Sequence, residues 1–447
     1  MGTMSDETDD LFRRYRRDAV LLHRPWPPHA GPPTNSRFGG LPNLPGRYAW
    51  PRTSNGTPLH FLAQVDCADI RFETPLPDRG VLFFFGRDDD EQVWNQQPPA
   101  SDDCRVLYAL DAFALTPPRE PPADLPPIMG YAGSGAFYHY RIGREQGPNV
   151  HTAWPIVPLR FDSFPDASAL PERFDWSLRL FRDLLRNVPD ARDGVKRDRE
   201  MRDAYDARLR PRRVAAFEAA TGARPPRGDS TPLNRDVRAG EAILGFAASG
   251  PDSFPQHWAY VHYLARAILH RPARFTYGNE AEVERLAAEA ERWLARAREV
   301  PFDRPVAEDD RQALRAWLVT LKSQHDPSEL GHRAAQLAFL AAVATIRAWA
   351  GDPARAALVP AHVYAACEAH FSSYTPSGVY VSQMLGHAPS AQDALPADDP
   401  TICLLNLESD LAVGWSFGDG GQCTFWITPQ DLARRDFSKV EGTIVGH

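Results

Sequence analysis

Hydrophobic and polar positions follow two different periods along the chain. In "LHFLAQVDC", Phe61, Ala63 and Val65 alternate with Leu62, Gln64 and Asp66, which predicts a strand. "RGVLFFFG" (Arg79–Gly86) is a continuous apolar run between glycines and predicts a strand buried on both faces. Cys104–Phe113 and Ala153–Phe161 read as further strands, and Pro155 and Pro158 place the latter at a sheet edge. Ahead of these, residues 1–30 read as a short helix followed by the Pro-rich "RPWPPHAGPP".

From about Asp175 the period becomes helical. Residues 190–240 are dense in charge, which predicts helices with a solvated face. Gly240–Trp258 interrupts them with loop and strand character. Trp258–His270, Asn279–Val300, Leu314–Leu321, His332–Ala350 and Val359–Phe371 then carry apolar stripes at helical spacing. Their short connections predict an antiparallel bundle. After an exposed linker, strands resume at Thr401.

The predicted fold is therefore α+β: an antiparallel β-rich domain interrupted by an α-helical bundle insertion. Its segments are an N-terminal helix and linker (1–35), a first β-rich half (36–175) and a charged helical segment (176–239). A return segment (240–257), the helical insertion (258–390) and a second β-rich half (400–447) follow. The halves share a pattern. "LHFLAQVDCADI…RGVLFFFG" and "TICLLNLESDLAV…GGQCTFWI" each carry an apolar doublet, an amide, an apolar residue and an acid, then a glycine and an aromatic strand. Gln64 and Asp66 match Asn406 and Glu408, which reads as a degenerate internal duplication.

Composition narrows the function classes. The net charge of −8 gives no basic footprint for nucleic acid or an anionic membrane. No apolar run approaches the roughly 20 residues of a membrane span. The five cysteines form no CxxC pair, so they read as reduced, buried thiols in a cytoplasmic protein, with no metal site. HEXXH, GxSxG and Walker A patterns are absent.

"FGGLPNLP", "YAWPRTSNGTPLHFLAQVD", "GVLFFF" and "GWSFGDGGQCTFWITPQDLARRDFSKV" together resemble the YwqG-like domain family, a bacterial family whose function is not established. The matching residues are Gly39, Gly40, Pro42, Leu44, Pro45, Trp50 and Pro51, then Gly56, Pro58, Leu59, Phe61, Leu62 and Gln64. Near the C-terminus they are Trp415, Gly418, Asp419, Gly421, Phe425, Trp426, Asp431, Leu432 and Phe437. The resemblance implies an α+β fold with antiparallel sheet, and no reaction.

Candidate ligand-binding residues are Trp50, Gln64, Asp66, His257, Trp415 and Asp419. Each also has a plainer reading: Trp50 as packing, the amides as backbone ties, and "GDGG" as a hairpin turn. The expected function is a non-catalytic binding or adaptor module with a protein partner and no cofactor. The alternative is an enzyme with its pocket between the two β-rich halves, where Gln64, Asp66, His257 and Asp419 would converge.

Overall fold

A computed structural model describes residues 4–89, 103–112, 116–128, 149–170, 189–223, 232–245, 250, 252–270, 279–321, 330–372, 381–388, 395–410, 412–418 and 420–445. The chain begins with α1 (Met4–Tyr15), β1 (Arg17–His23), β2 (Arg37–Phe38), β3 (His60–Asp66), β4 (Val81–Gly86), β5 (Cys104–Ala109), β6 (Trp154–Pro155) and β7 (Val157–Ser163). Among the described residues eight helices follow: α2 (Pro189–Thr221), α3 (Pro232–Leu244), α4 (Trp258–His270), α5 (Glu280–Arg298), α6 (Glu308–Leu318), α7 (Leu330–Trp349), α8 (Pro353–Ala356) and α9 (Ala361–Ser372). The chain closes with β8 (Gln383–Met384), β9 (Ile402–Glu408), β10 (Gln422–Ile427), α10 (Pro429–Arg434) and β11 (Glu441–Val445). Among the described residues, no helix is long and apolar enough to cross a membrane.

The strands form two antiparallel sheets, ordered β11-β10-β9-β8-β1-β7 and β5-β4-β3-β2-β6. The proline-bearing β6 and β7 are both edge strands, where a missing N–H is tolerated. β1 is a departure from the expected N-terminal helix and linker: it pairs with β7 and β8 inside the larger sheet. The expected alternation of β3 also breaks. A bulge at Leu62 lets Phe61 face Phe83, Phe85 and Trp50, while Ala63 and Val65 face the main core. Gly240–Leu244 is the end of α3 rather than a loop.

The duplication is carried into hydrogen bonding. Gln64 pairs with Phe83 and Arg37, and Asn406 pairs with Thr424 and Gln383. Gln64 Nε2 donates to Asn35 O (2.7 Å), and Asn406 Nδ2 donates to Val381 O (3.2 Å). The Asp66 N–H donates to Ser36 Oγ and the Glu408 N–H to Ser382 Oγ, each at 3.0 Å. The Ile156 N–H donates to Ser36 O and the Leu22 N–H to Ser382 O. β10 carries a register shift opposite Leu404, the counterpart of Leu62. Thus β2-β3-β4-β5 with β6 matches β8-β9-β10-β11 with β1. The matching rings of Phe84 and Phe425 meet edge to face at 5.2 Å, where the two sheets pack.

One continuous core joins both sheets to the helical block. α3 crosses α7 so closely that a Cβ on Gly240 would clash with Ala335 O. Gly240→Ala is therefore expected to destabilise the protein by about 2 kcal/mol despite its better helix propensity. A denaturant midpoint equal to or above the wild type would contradict this contact.

Candidate functional site

The sequence-predicted residues do not assemble into one site. Trp50 is packed edge to face on Phe85 and donates from Nε1 to Leu59 O. Gln64 is fully buried and satisfied: its Oε1 accepts from the Asn43 N–H, and its Nε2 reaches Asn35 O and Asn43 Oδ1. Asp66 accepts from Asn35 Nδ2 and caps the short turn at Ala68. His257 lies in the helical block beside Trp349, and burial lowers its pKa. Trp415 packs on Phe38 from the other sheet, 4.8 Å between ring centres. Asp419 lies outside the described residues. The positive φ of Gly39 and Gly40, and their close approach to Thr152 and Ala153, explain the double glycine as packing.

A buried polar group holds that packing in place. His151 Nε2 lies 3.2 Å from Asp88 Oδ2, and the Asp88 N–H donates to His60 Nδ1. Burial lowers the pKa of His60.

The second half contains a different polar surface. Gln383, Asn406, Glu408 and Gln422 share one face of the larger sheet. Gln383 pairs across to Asn406 and Gln422 to Glu408, and Asn406 and Glu408 are two apart on β9. Gln383 Nε2 donates to His387 O, Asn406 Nδ2 to Val381 O and Glu408 Oε1, and Gln422 Nε2 to Glu408 Oε2. Each amide nitrogen thus donates at least once, while no donor among the described residues reaches the buried Gln383 Oε1, Asn406 Oδ1 and Gln422 Oε1. Burial pushes the Glu408 carboxyl up to about 7, against the pull of its bonds from Asn406 and Gln422.

Glu408 also lines a cavity of about 260 Å³ between the end of α2, the ends of β1 and β9, and the helical block. Its other lining residues include His23, Arg24, Trp26, Phe217 and Asp410. Arg24 Nε donates to Asp410 Oδ2 at 2.6 Å and Nη2 to Phe371 O at 2.7 Å, and its guanidinium lies over the Trp154 ring. Burial, then the neighbouring Arg24, lowers His23 to about 4, so it is neutral at pH 7. A larger cavity of about 480 Å³ opens under the Pro-rich segment. Its walls combine prolines and Trp154 with His29, Thr34, Asn35 and Ser36; its His29 is already bonded to Ala350 O and its Arg37 to Asn43 Oδ1 and Leu41 O. The Glu408 cavity is the better candidate because it combines apolar walls with a carboxyl whose pKa burial has raised.

The sequence reading matched Asn406 and Glu408 to Gln64 and Asp66 but assigned them no chemistry, and it missed Arg24, Gln383, Asp410 and Gln422. The usable signal was the mismatch between the halves, with Gln383 standing where the first half has Arg37. Among the described residues, no three His, Cys, Asp or Glu side chains group as metal ligands.

No curated protein matches the sequence. The pattern of a family described as a domain of unknown function (DUF1963) matches residues 36–160 and 266–444. The match takes in β2–β6, β8–β11 and most of the helical block, and it leaves out 161–265. Since it spans well over half of the sequence and both copies of the duplicated sheet, the chain belongs to the DUF1963 family, as the YwqG-like motifs imply.

Proposed function

We infer that the protein is a non-catalytic binding module that engages a protein partner through the Glu408 cavity. The observation that carries this reading is the cavity itself. Its aromatic and aliphatic walls surround a buried carboxyl, and about 260 Å³ suits one inserted side chain better than a large metabolite. The five buried free cysteines suit a reducing compartment, so a cytoplasmic setting is part of the proposal.

The test is capture of a partner from native lysate by the full chain and by Ala223→Trp. Ala223 is an exposed residue at the cavity rim, so the substitution fills the opening without touching the core. A stoichiometric partner whose recovery falls at least tenfold with the variant supports the reading. Equal recovery, or no partner for either protein, overturns it.

A second reading follows from Glu408, whose pKa of about 7 is that of a general acid–base group at neutral pH. Under it, Glu408→Gln would leave capture intact and abolish chemical conversion of the captured molecule, as read by mass spectrometry.

A further inference from the structure

We propose that Arg37, in the wall of the cavity under the Pro-rich segment, binds the carboxylate of a singly charged ligand with an apolar body. This is a second site: among the described residues, the cavity of about 480 Å³ and the Glu408 cavity share no lining residue.

The duplication shows that the fold does not require the charge of Arg37. Arg37 pairs across to Gln64 as Gln383 pairs to Asn406. Arg37 Nη2 donates to Leu41 O and Gln383 Nε2 to His387 O, in each case the carbonyl four residues on. A neutral amide in the second half thus makes the tie that a guanidinium makes in the first.

What the arginine adds is a cation, and the chain leaves that cation unneutralised. Its Nη1 donates to Asn43 Oδ1 at 2.6 Å, so both of its bonds go to uncharged oxygens. Among the described residues no carboxylate pairs with it, and burial alone acts on its pKa, lowering it to about 10. The group is charged at neutral pH. Taking such a charge out of water without a counter-ion is costly, so an anion gains by supplying one. Two bonds leave N–H groups over from the five of a guanidinium, and these form the fork that suits a carboxylate.

The wall selects the rest of the ligand. Among the described residues, Arg37 is its sole Lys or Arg, and it holds no Asp or Glu. Pro25, Pro155, Pro353, Trp154 and Val157 give it an apolar surface, and about 480 Å³ is the size of a small-molecule site. The loop donors beside Arg37 are turned inward: the hydroxyls of Thr34 and Ser36 and the N–H groups of Asn35 and Ser36 all donate to Asp69 Oδ2, at 2.7–3.0 Å. A single guanidinium remains for the ligand. That matches one carboxylate, whereas a phosphate dianion calls for more donors and more positive charge.

The experiment is calorimetric titration of the full chain at neutral pH with phenylpropionate, phenylpropionamide, acetate and inorganic phosphate. Phenylpropionate is expected to bind one to one, at least tenfold more tightly than acetate or inorganic phosphate, with no heat from the amide. Arg37→Gln, which installs the residue type of the second half, is expected to weaken it at least tenfold while thermal unfolding stays cooperative. Arg37→Lys keeps the charge without the fork and is expected to fall between Arg37→Gln and the wild type.

Titration with N-acetylphenylalanine and with a peptide ending in phenylalanine separates the two sources of the group. Tighter binding of the small acid assigns it to a metabolite, and tighter binding of the peptide assigns it to the C-terminus of a partner chain. Absence of phenylpropionate binding, equal binding of the amide, tighter binding of inorganic phosphate, or insensitivity to Arg37→Gln overturns the proposal. If Arg37→Gln does not fold, the amide and phosphate comparisons on the wild-type chain decide by themselves. Either result leaves the Glu408 reading to its own test, partner capture by Ala223→Trp.

Discussion

Asp410→Asn is expected to lower stability by about 3–5 kcal/mol, the cost of leaving a buried cation without its counter-ion. Arg24 and Asp410 are each less than a tenth exposed, and their 2.6 Å contact is the close, charge-assisted kind. Arg24 also ties β1 to Phe371 O in α9 and lies over Trp154 of β6, so one guanidinium joins both sheets to the helical block. Asp410 is equally committed, since its Oδ1 accepts from the Ala412 N–H and its carbonyl from those of Gly414 and Trp415. The double variant Arg24→Met with Asp410→Leu removes both charges and is expected to recover much of the loss. Urea denaturation of the four proteins of this cycle measures the coupling. An Asp410→Asn loss below about 1 kcal/mol would show the pair to be no stronger than an exposed one.

The same residues show what sequence could and could not reveal. Helices α4–α7 were legible because each has a stripe repeating at 3.6 residues. Asn279, which caps α5, stands where the stripe begins. β3 and β4 were legible as apolar runs bounded by turns. β1 was not, because its "RDAVLLH" follows an amphipathic helix and its partners lie at 157–163 and 383–384. β2 and β8 have two residues each, too few to show any period. The candidate site was hidden for a related reason. Gln383, Glu408 and Gln422 become neighbours only through cross-strand register, which no local pattern encodes. The match of Gln64 to Asn406 was visible in the sequence. That one amide oxygen is satisfied by Asn43 and the other by nothing described depends on how two unlike loops fold over like strands.

Stability is expected to rise from pH 4 to about pH 7, driven by buried histidines and opposed by Glu408. Burial, then the charge of Arg17, lowers His387 to about 3 in the folded state, while its Nε2 is bonded to Tyr15 O. A histidine held neutral stabilises the fold above the unfolded value of about 6.5 and loses that contribution as pH falls toward 3. The interval corresponds to about 5 kcal/mol, and His23, lowered to about 4, acts in the same window. Glu408 has the opposite sign. Its folded value of about 7 lies above the unfolded value near 4.5, so its neutral form is favoured by the fold. That contribution is complete below about pH 4.5 and lost as pH rises through 7, a span of about 3 kcal/mol. Asp166 and Arg213 act on this carboxyl in opposite directions and are themselves paired, so burial sets the outcome. His387→Gln should make this rise shallower. Glu408→Gln should make it steeper and leave the protein more stable than the wild type at pH 8. Urea unfolding between pH 4 and 8 reads the slope, and a slope unchanged by Glu408→Gln would show that the carboxyl ionises freely.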